Sequence, residues 1–258
     1  MSNKERRAKS RILLIDIGNT NLKWAWLVDG RLSAVAVKSY REQSLSVLSE
    51  QNWREETPPE RVLVANVSAR SLEAELRGWL YNSWKLEPEI FRSSARALGV
   101  ISAYTEPEQL GVDRWLALIA AHHRIASPVC IVDCGTAITL DVVDVSGQHL
   151  GGLVLPGFSL MRKSLLENTW IPRDASTYGI GLFARDTASA VASAGVLAAA
   201  ALVERMLEKS TEELGRRPQL LLTGSDASRL KSVLNQTCLM EPDLVMQGLA
   251  LVAGEWEG

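Results

Sequence analysis

One junction occurs twice in this 258-residue chain and constrains its fold more than any other feature. Near the start stands "LLIDIGNTNLKWAWLVDG", and midway stands "CIVDCGTAITLDVVDVSG". In each, a short apolar run ends in Asp-x-Gly, crosses one or two small polar residues and enters a second mostly apolar run. Such runs, bounded by a glycine turn, predict two tightly joined strands. Setting Asp16 over Asp133 aligns Gly18 with Gly135 and Asn19 with Thr136. The same shift brings Asp29-Gly30 near Ser146-Gly147.

The flanking elements repeat in type as well. Strands are predicted over 11–17 and 21–29, and a third includes Val35 and Val37. A helix over 41–53, a strand over 61–67 and a helix over 68–84 follow. Leu72, Leu76, Trp79 and Leu80 share one face of that second helix. A short strand begins at Ile90 and Phe91, and a helix covers 111–125. The second series has strands over 129–133 and 137–145, then "HLGGLVLPG", then helices over 158–168 and 186–209. It closes with the strand "QLLLTGSD", a helix over 226–235, the short strand "CLME" and a helix over 243–256. Three strands followed by alternating helix and strand, twice over, predict a duplicated α/β unit.

Composition narrows the class. Hydrophobic residues make up 47% and charged residues 22%, as in an ordinary soluble protein. The net charge of −2 gives no global attraction to nucleic acid or membrane. Cys130, Cys134 and Cys238 form no disulfide framework and read as reduced thiols of a cytoplasmic protein. Residues 1–10 read as a flexible extension, because the apolar run after the basic "MSNKERRAKSR" stops at Asp16. The Ala-rich "AVASAGVLAAAALV" is short for a membrane span and reads as a buried helix.

The repeated turn carries the chemistry. A tight glycine turn brings backbone N–H groups close to a ligand, and Thr20, Thr136 and Asn19 add side-chain donors. Converging donors make a concavity suited to phosphate. An aspartate at a strand end holds a hydrated cation beside that phosphate. Two such turns facing each other would grip a nucleoside triphosphate. Strand alternation leaves open whether Lys23 faces the phosphate or solvent. No Walker motif, kinase-type glycine-rich loop, Gly-x-Gly-x-x-Gly fingerprint or Gly-x-Ser-x-Gly elbow occurs. His122, His123 and His149 have no metal-ligand spacing, and the first two suit a helix end.

The segments "DIGNTNLKWA", "GVDRWLALIAAH", "DCGTAITLD" and "GGLVLPGFSLM" resemble, in order, four motif regions of type III pantothenate kinases. The similarity runs from residue 12 to about 252, and the same family includes Bvg accessory factor proteins. The resemblance implies duplicated ribonuclease-H-like lobes of the actin-like, acetate and sugar kinase ATPase fold, with ATP between them. The first lobe would take 11–114 and the second 115–258. It implies a cytoplasmic homodimer that phosphorylates pantothenate with ATP, the first step of coenzyme A synthesis. It also implies Mg²⁺ and a monovalent cation, K⁺ or NH₄⁺. No nucleic acid and no membrane partner are expected.

Residue by residue, Asp16, Ile17, Gly18, Asn19, Thr20, Asn21, Leu22 and Lys23 match the family's first phosphate motif. Asp113 matches the catalytic aspartate, suited to accept the hydroxyl proton of pantothenate. Tyr104, Gly111, Val112, Arg114 and Thr187 match the substrate contacts. Asp133 matches the monovalent-cation ligand and Thr136 an ATP contact. There is one departure: Thr223-Gly224-Ser225 stands where the family usually has Thr-Gly-Gly. Serine fits there if φ is negative and is strained otherwise. The alternative to an active kinase is a transcriptional accessory protein that keeps the fold.

Overall fold

A computed structural model describes residues 10–171 and 180–254. The N-terminal extension expected over residues 1–10, apart from Ser10, and the end of the closing helix expected to residue 256 lie outside the described residues. The chain divides into two compact units. The first comprises the described residues up to Ser94, Glu108–Ala120 and those from Val245 onward; the second comprises Ala95–Pro107 and Ala121–Leu244.

In the first unit, β1 (Arg11–Ile17) and β2 (Asn21–Val28) form the expected antiparallel pair. The third strand of the expectation is divided into β3 (Arg31–Leu32) and β4 (Ala36–Ser39), both paired with β2. Val35 lies between them. Helix α1 (Leu45–Trp53) starts four residues later than its apolar pattern predicts, because Ser44 caps it and its side chain accepts from the N–H of Val47. Then follow β5 (Arg61–Asn66), α2 (Arg70–Trp84) and β6 (Glu89–Ile90). The sheet order is β3-β2-β1-β5-β6, with β1, β5 and β6 mutually parallel. β1 and β5 are almost wholly buried, which is why they read as continuous apolar runs rather than alternating ones.

Aromatic packing fills this core. The Trp53 ring meets those of Trp24 and Trp79 edge-on at 5.6 and 5.7 Å, and Trp79 meets Trp84 at 5.1 Å. The Trp79 Nε1–H donates to Glu50 at 2.9 Å, so a buried polar tip is satisfied and the Glu50 carboxyl is held below its ordinary range.

The second unit opens with a hairpin that sequence periodicity does not reveal, β7 (Arg96–Ala97) and β8 (Val100–Ile101). Its turn places Leu98 and Gly99 at positive φ, as a two-residue hairpin turn requires. Helix α3 (Val112–Arg124) comes next in the chain; it belongs to the first unit up to Ala120 and ends in His122, His123 and Arg124, where positive charge is favoured. Strands β9 (Val129–Cys134), β10 (Ala137–Val143) and β11 (His149–Pro156) come next. Helices α4 (Phe158–Asn168) and α5 (Thr187–Leu214) precede β12 (Gln219–Thr223), α6 (Ala227–Lys231) and β13 (Leu239–Met240). The last helix is α7 (Leu244–Val252), which from Val245 on belongs to the first unit. The sheet order is β11-β10-β9-β12-β13. β9 is antiparallel to β10 and parallel to β12, so the second sheet repeats the first in order and sense.

Helix α5 is longer than the apolar pattern predicts, running to Gly215, whose φ of 64° ends it. By length and composition it is apolar enough to cross a membrane. Its buried residues Val196, Ala199, Ala200, Val203 and Leu207 recur at helical spacing and join Cys130, Val132 and Leu140 in the second core. It is a core helix. Helix α6 is shorter than the expected 226–235, since the chain turns at Ser232.

Candidate active site

The candidate residues of the first unit lie at the carboxyl end of β1, in the turn and start of β2 after it, and at the start of α3. Asp16 is next to last in β1 and is 4% exposed. Lys23 on β2 is its partner in the antiparallel register. Directly opposed residues of such a pair project to one face, so Lys23 shares the face of Asp16. The turn between them closes with a 3.0 Å bond from the Gly18 N–H to the Asn21 carbonyl. Two residues outside the motif brace it. The Tyr40 hydroxyl donates to the Gly18 carbonyl, and the Arg41 guanidinium donates to Thr20 Oγ1 at 3.2 Å. Ile17 and Leu22 are fully buried, so backbone groups are all they offer a ligand, whereas Asn19 is exposed.

Asp113 lies in the first turn of α3. Its Oδ1 accepts the Arg114 N–H at 2.7 Å, satisfying one of the orphan donors of a helix start. A Cβ on Gly111 would lie 2.6 Å from that oxygen, so the carboxylate folds over a bare Cα. Gly111 also opens the helix, its carbonyl accepting the Trp115 N–H at 3.0 Å. Val112 is buried, and Arg114 is 8% exposed, which is rare for arginine.

In the second unit Asp133 is half-buried next to the end of β9, flanked in register by Thr139 on β10 and Thr223 on β12. The chain then turns at Gly224 with φ +90°. A Cβ at that position would lie 2.4 Å from Asp133 Oδ1 and 2.4 Å from the Cys134 carbonyl oxygen. Gly224 therefore leaves open a space beside two oxygens that any other residue would fill. Ser225 does not share that conformation: the described non-glycine residues with positive φ are Asp29, Lys85 and Leu98. The departure from Thr-Gly-Gly thus brings no backbone strain.

The turn after β9 is braced by a Gly135 N–H bond to the Ala137 carbonyl and a Gly157 N–H bond to the Thr136 carbonyl, both 2.9 Å. Thr136 is exposed at its tip. Thr187 is exposed as the first residue of α5, after the cap Asp186. Hydrogen bonds from the Ser189 hydroxyl and N–H hold the Asp186 carboxyl below its ordinary range. Tyr104 is half-buried with its ring stacked on His149, centroids 6.2 Å apart. Among the described residues no group of three or more His, Cys, Asp or Glu side chains forms a metal site.

Two sheets of identical strand order, each with an aspartate near the end of its first strand and a glycine turn beyond, define the duplicated ribonuclease-H-like fold of actin-like and sugar kinase ATPases. A solved Baf family protein from Campylobacter jejuni has the same fold, with TM-score 0.61 and 21% identity, covering 94% of this chain and 98% of that one. The family model for type III pantothenate kinase matches residues 12–209. A type III pantothenate kinase of Nitrosococcus oceani is 36% identical over 248 residues, covering 94% of this chain and 93% of that protein. One from Nitrosospira multiformis is 36% identical over 247 residues, covering 95% and 91%. The chain belongs to the type III pantothenate kinase family.

Proposed function

We propose that this chain transfers the γ-phosphoryl group of ATP to the terminal hydroxyl of pantothenate, giving 4'-phosphopantothenate and ADP. The observation that carries this reading is family membership over nearly the whole chain together with retained carboxylates at Asp16, Asp113 and Asp133. Phosphoryl transfer asks a protein chiefly for positioning and charge stabilisation. The hydroxyl oxygen attacks the γ-phosphorus, the bond to the β–γ bridging oxygen breaks, and Asp113 takes the hydroxyl proton. The hydrogen bond from the Arg114 N–H fixes one oxygen of that carboxylate for the task. Arg114 suits the carboxylate of pantothenate, and Tyr104, Gly111, Val112 and Thr187 complete its contacts.

Asp16 to Lys23 and Thr136 would bind the polyphosphate through the turn N–H groups and hydroxyls. Asp16 suits Mg²⁺, which keeps most of its waters and asks for one or two carboxylates. Asp133 suits K⁺ or NH₄⁺, because the space kept by Gly224 borders its Oδ1 and the Cys134 carbonyl oxygen, both hard donors. When bound, these cations offset the charge of the phosphates.

The working form is a cytoplasmic homodimer without nucleic-acid or membrane partners. Its support is an apolar edge on the second unit: Leu150, Leu153 and Val154 on the edge strand β11, and Leu160 and Leu165 on α4, are all exposed. An uncovered apolar sheet edge invites a partner.

The test is ADP release by the purified chain with ATP, Mg²⁺, K⁺ and pantothenate. Turnover that requires pantothenate is expected, and Asp113→Asn is expected to lower kcat about a hundredfold or more at unchanged melting temperature. Absence of turnover with every component present rejects the reading.

A further inference from the structure

Strand β10 carries Asp141 and strand β11 carries His149, and both side chains are almost wholly buried. Their contact depends on one irregularity. The register runs Asp141 to Gly152 and Val142 to Gly151, then jumps to Val143 opposite His149. Leu150 is the extra residue of a bulge. Without it, His149 would stand opposite Asp144 and project to the face away from Asp141, because strand side chains alternate. The bulge turns His149 onto the face of Asp141, and its Nε2 meets Asp141 Oδ1 at 2.9 Å.

A carboxylate at Nε2 keeps the proton on that nitrogen and leaves Nδ1 an acceptor. Nδ1 faces the backbone N–H of Ala103 at 3.4 Å. The Tyr104 ring, next in the chain, stacks on the imidazole at an interplanar angle of 12°. Two residues before Ala103, the Ile101 N–H donates to the Gly147 carbonyl at 2.9 Å. The segment 101–104 is therefore laid along 147–149, and its last two contacts fall on a single buried imidazole.

We propose that His149, oriented by Asp141 and aimed by the bulge at Leu150, is a positioning residue that presents Tyr104 to pantothenate. This rests on the assignment of Tyr104 as a substrate contact. In this role the imidazole acts through the Ala103 N–H and the Tyr104 ring. The cost of a buried ionisable pair then has a functional return in a fixed recognition loop.

The test uses the full chain and reads KM for pantothenate, KM for ATP, kcat and melting temperature. His149→Gln keeps an amide donor for Asp141 and removes both the acceptor and the ring. It is expected to raise KM for pantothenate about tenfold with kcat within about threefold and KM for ATP unchanged. His149→Asn places an amide oxygen near the Nδ1 position and should recover part of that loss. With Tyr104→Ala, the double variant should bind pantothenate no worse than Tyr104→Ala alone, because one route is lost twice. A folded His149→Gln with wild-type KM for pantothenate overturns the proposal, as does full additivity with Tyr104→Ala. If Tyr104→Ala has no effect on KM while the enzyme turns over, the Tyr104 assignment fails and takes the proposal with it. Should His149→Gln not fold, imidazole ¹⁵N shifts of the wild-type chain decide: pantothenate is expected to move those of His149, and unmoved signals at saturation overturn the idea.

Discussion

Gly224 and Asp133 are so close that a methyl group on the glycine would sit 2.4 Å from a carboxylate oxygen. The turn after β12 is thus pressed against the end of β9, with the Asp226 N–H bonded to the Cys134 carbonyl at 3.0 Å. Gly224→Ala meets both a left-handed φ and this clash. The expected result is lower stability, by about 1–3 kcal/mol, and loss of the proposed activation by K⁺. Ser225→Gly relieves nothing, since Ser225 has no positive φ. Thermal melts and K⁺ titrations of the two variants check both statements, and full K⁺ activation of Gly224→Ala would count against the cation assignment.

Lys23 shares the face of Asp16 by strand register. Lys23→Met keeps the stem and removes the charge. KM for ATP should rise about tenfold with little change in melting temperature, as expected for loss of one charge-assisted phosphate contact. An unchanged KM for ATP would mean that the ammonium only meets solvent.

Cys130 and Cys134 lie in the second core, and burial, reinforced by nearby Asp141 for the first and by Asp133 and Asp226 for the second, pushes both thiols up to about 12. A thiol whose folded value is raised gives up its proton more readily in the unfolded chain. Its contribution to stability is whole below the ordinary thiol range and shrinks as pH rises from about 9 toward 12. Denaturant melts at increasing alkaline pH should show this decline. Both thiols should also resist alkylation at pH 8 until the chain unfolds, and rapid labelling of the native protein would contradict their burial.

Leu153 and Val154 are 45% and 59% exposed on the edge strand of the second sheet. If this edge forms the proposed dimer, Val154→Glu should give a monomer in sedimentation at micromolar concentration while leaving the melt cooperative. A wild-type chain that sediments as a monomer removes the basis for this interface.

Much of the architecture was legible in the residues because it is local. Apolar runs broken by Asp-x-Gly announced β1–β2 and β9–β10, and the helical spacing of Leu76, Trp79 and Leu80 announced α2. The hairpin β7–β8 escaped, since two-residue strands have no period to detect. Helix ends were misplaced where a single group sets them, as Ser44 does for α1 and Gly215 for α5. Ser225 looked like a hazard because φ cannot be seen in a sequence.

The carboxylates at Asp16, Asp113 and Asp133, and the repeated order of elements around them, follow from the order of residues alone, because strand and turn propensities act over a few neighbours. Folding in space settled the rest. It set the face on which Lys23 emerges and brought Gly224 onto Asp133. Through one extra residue in β11 it turned His149 toward Asp141. It also grouped the segment after Leu244 with the first unit instead of the second. Each of these depends on pairing register or on packing between distant segments, and a shift of one residue in a strand reverses every side chain without altering its local pattern.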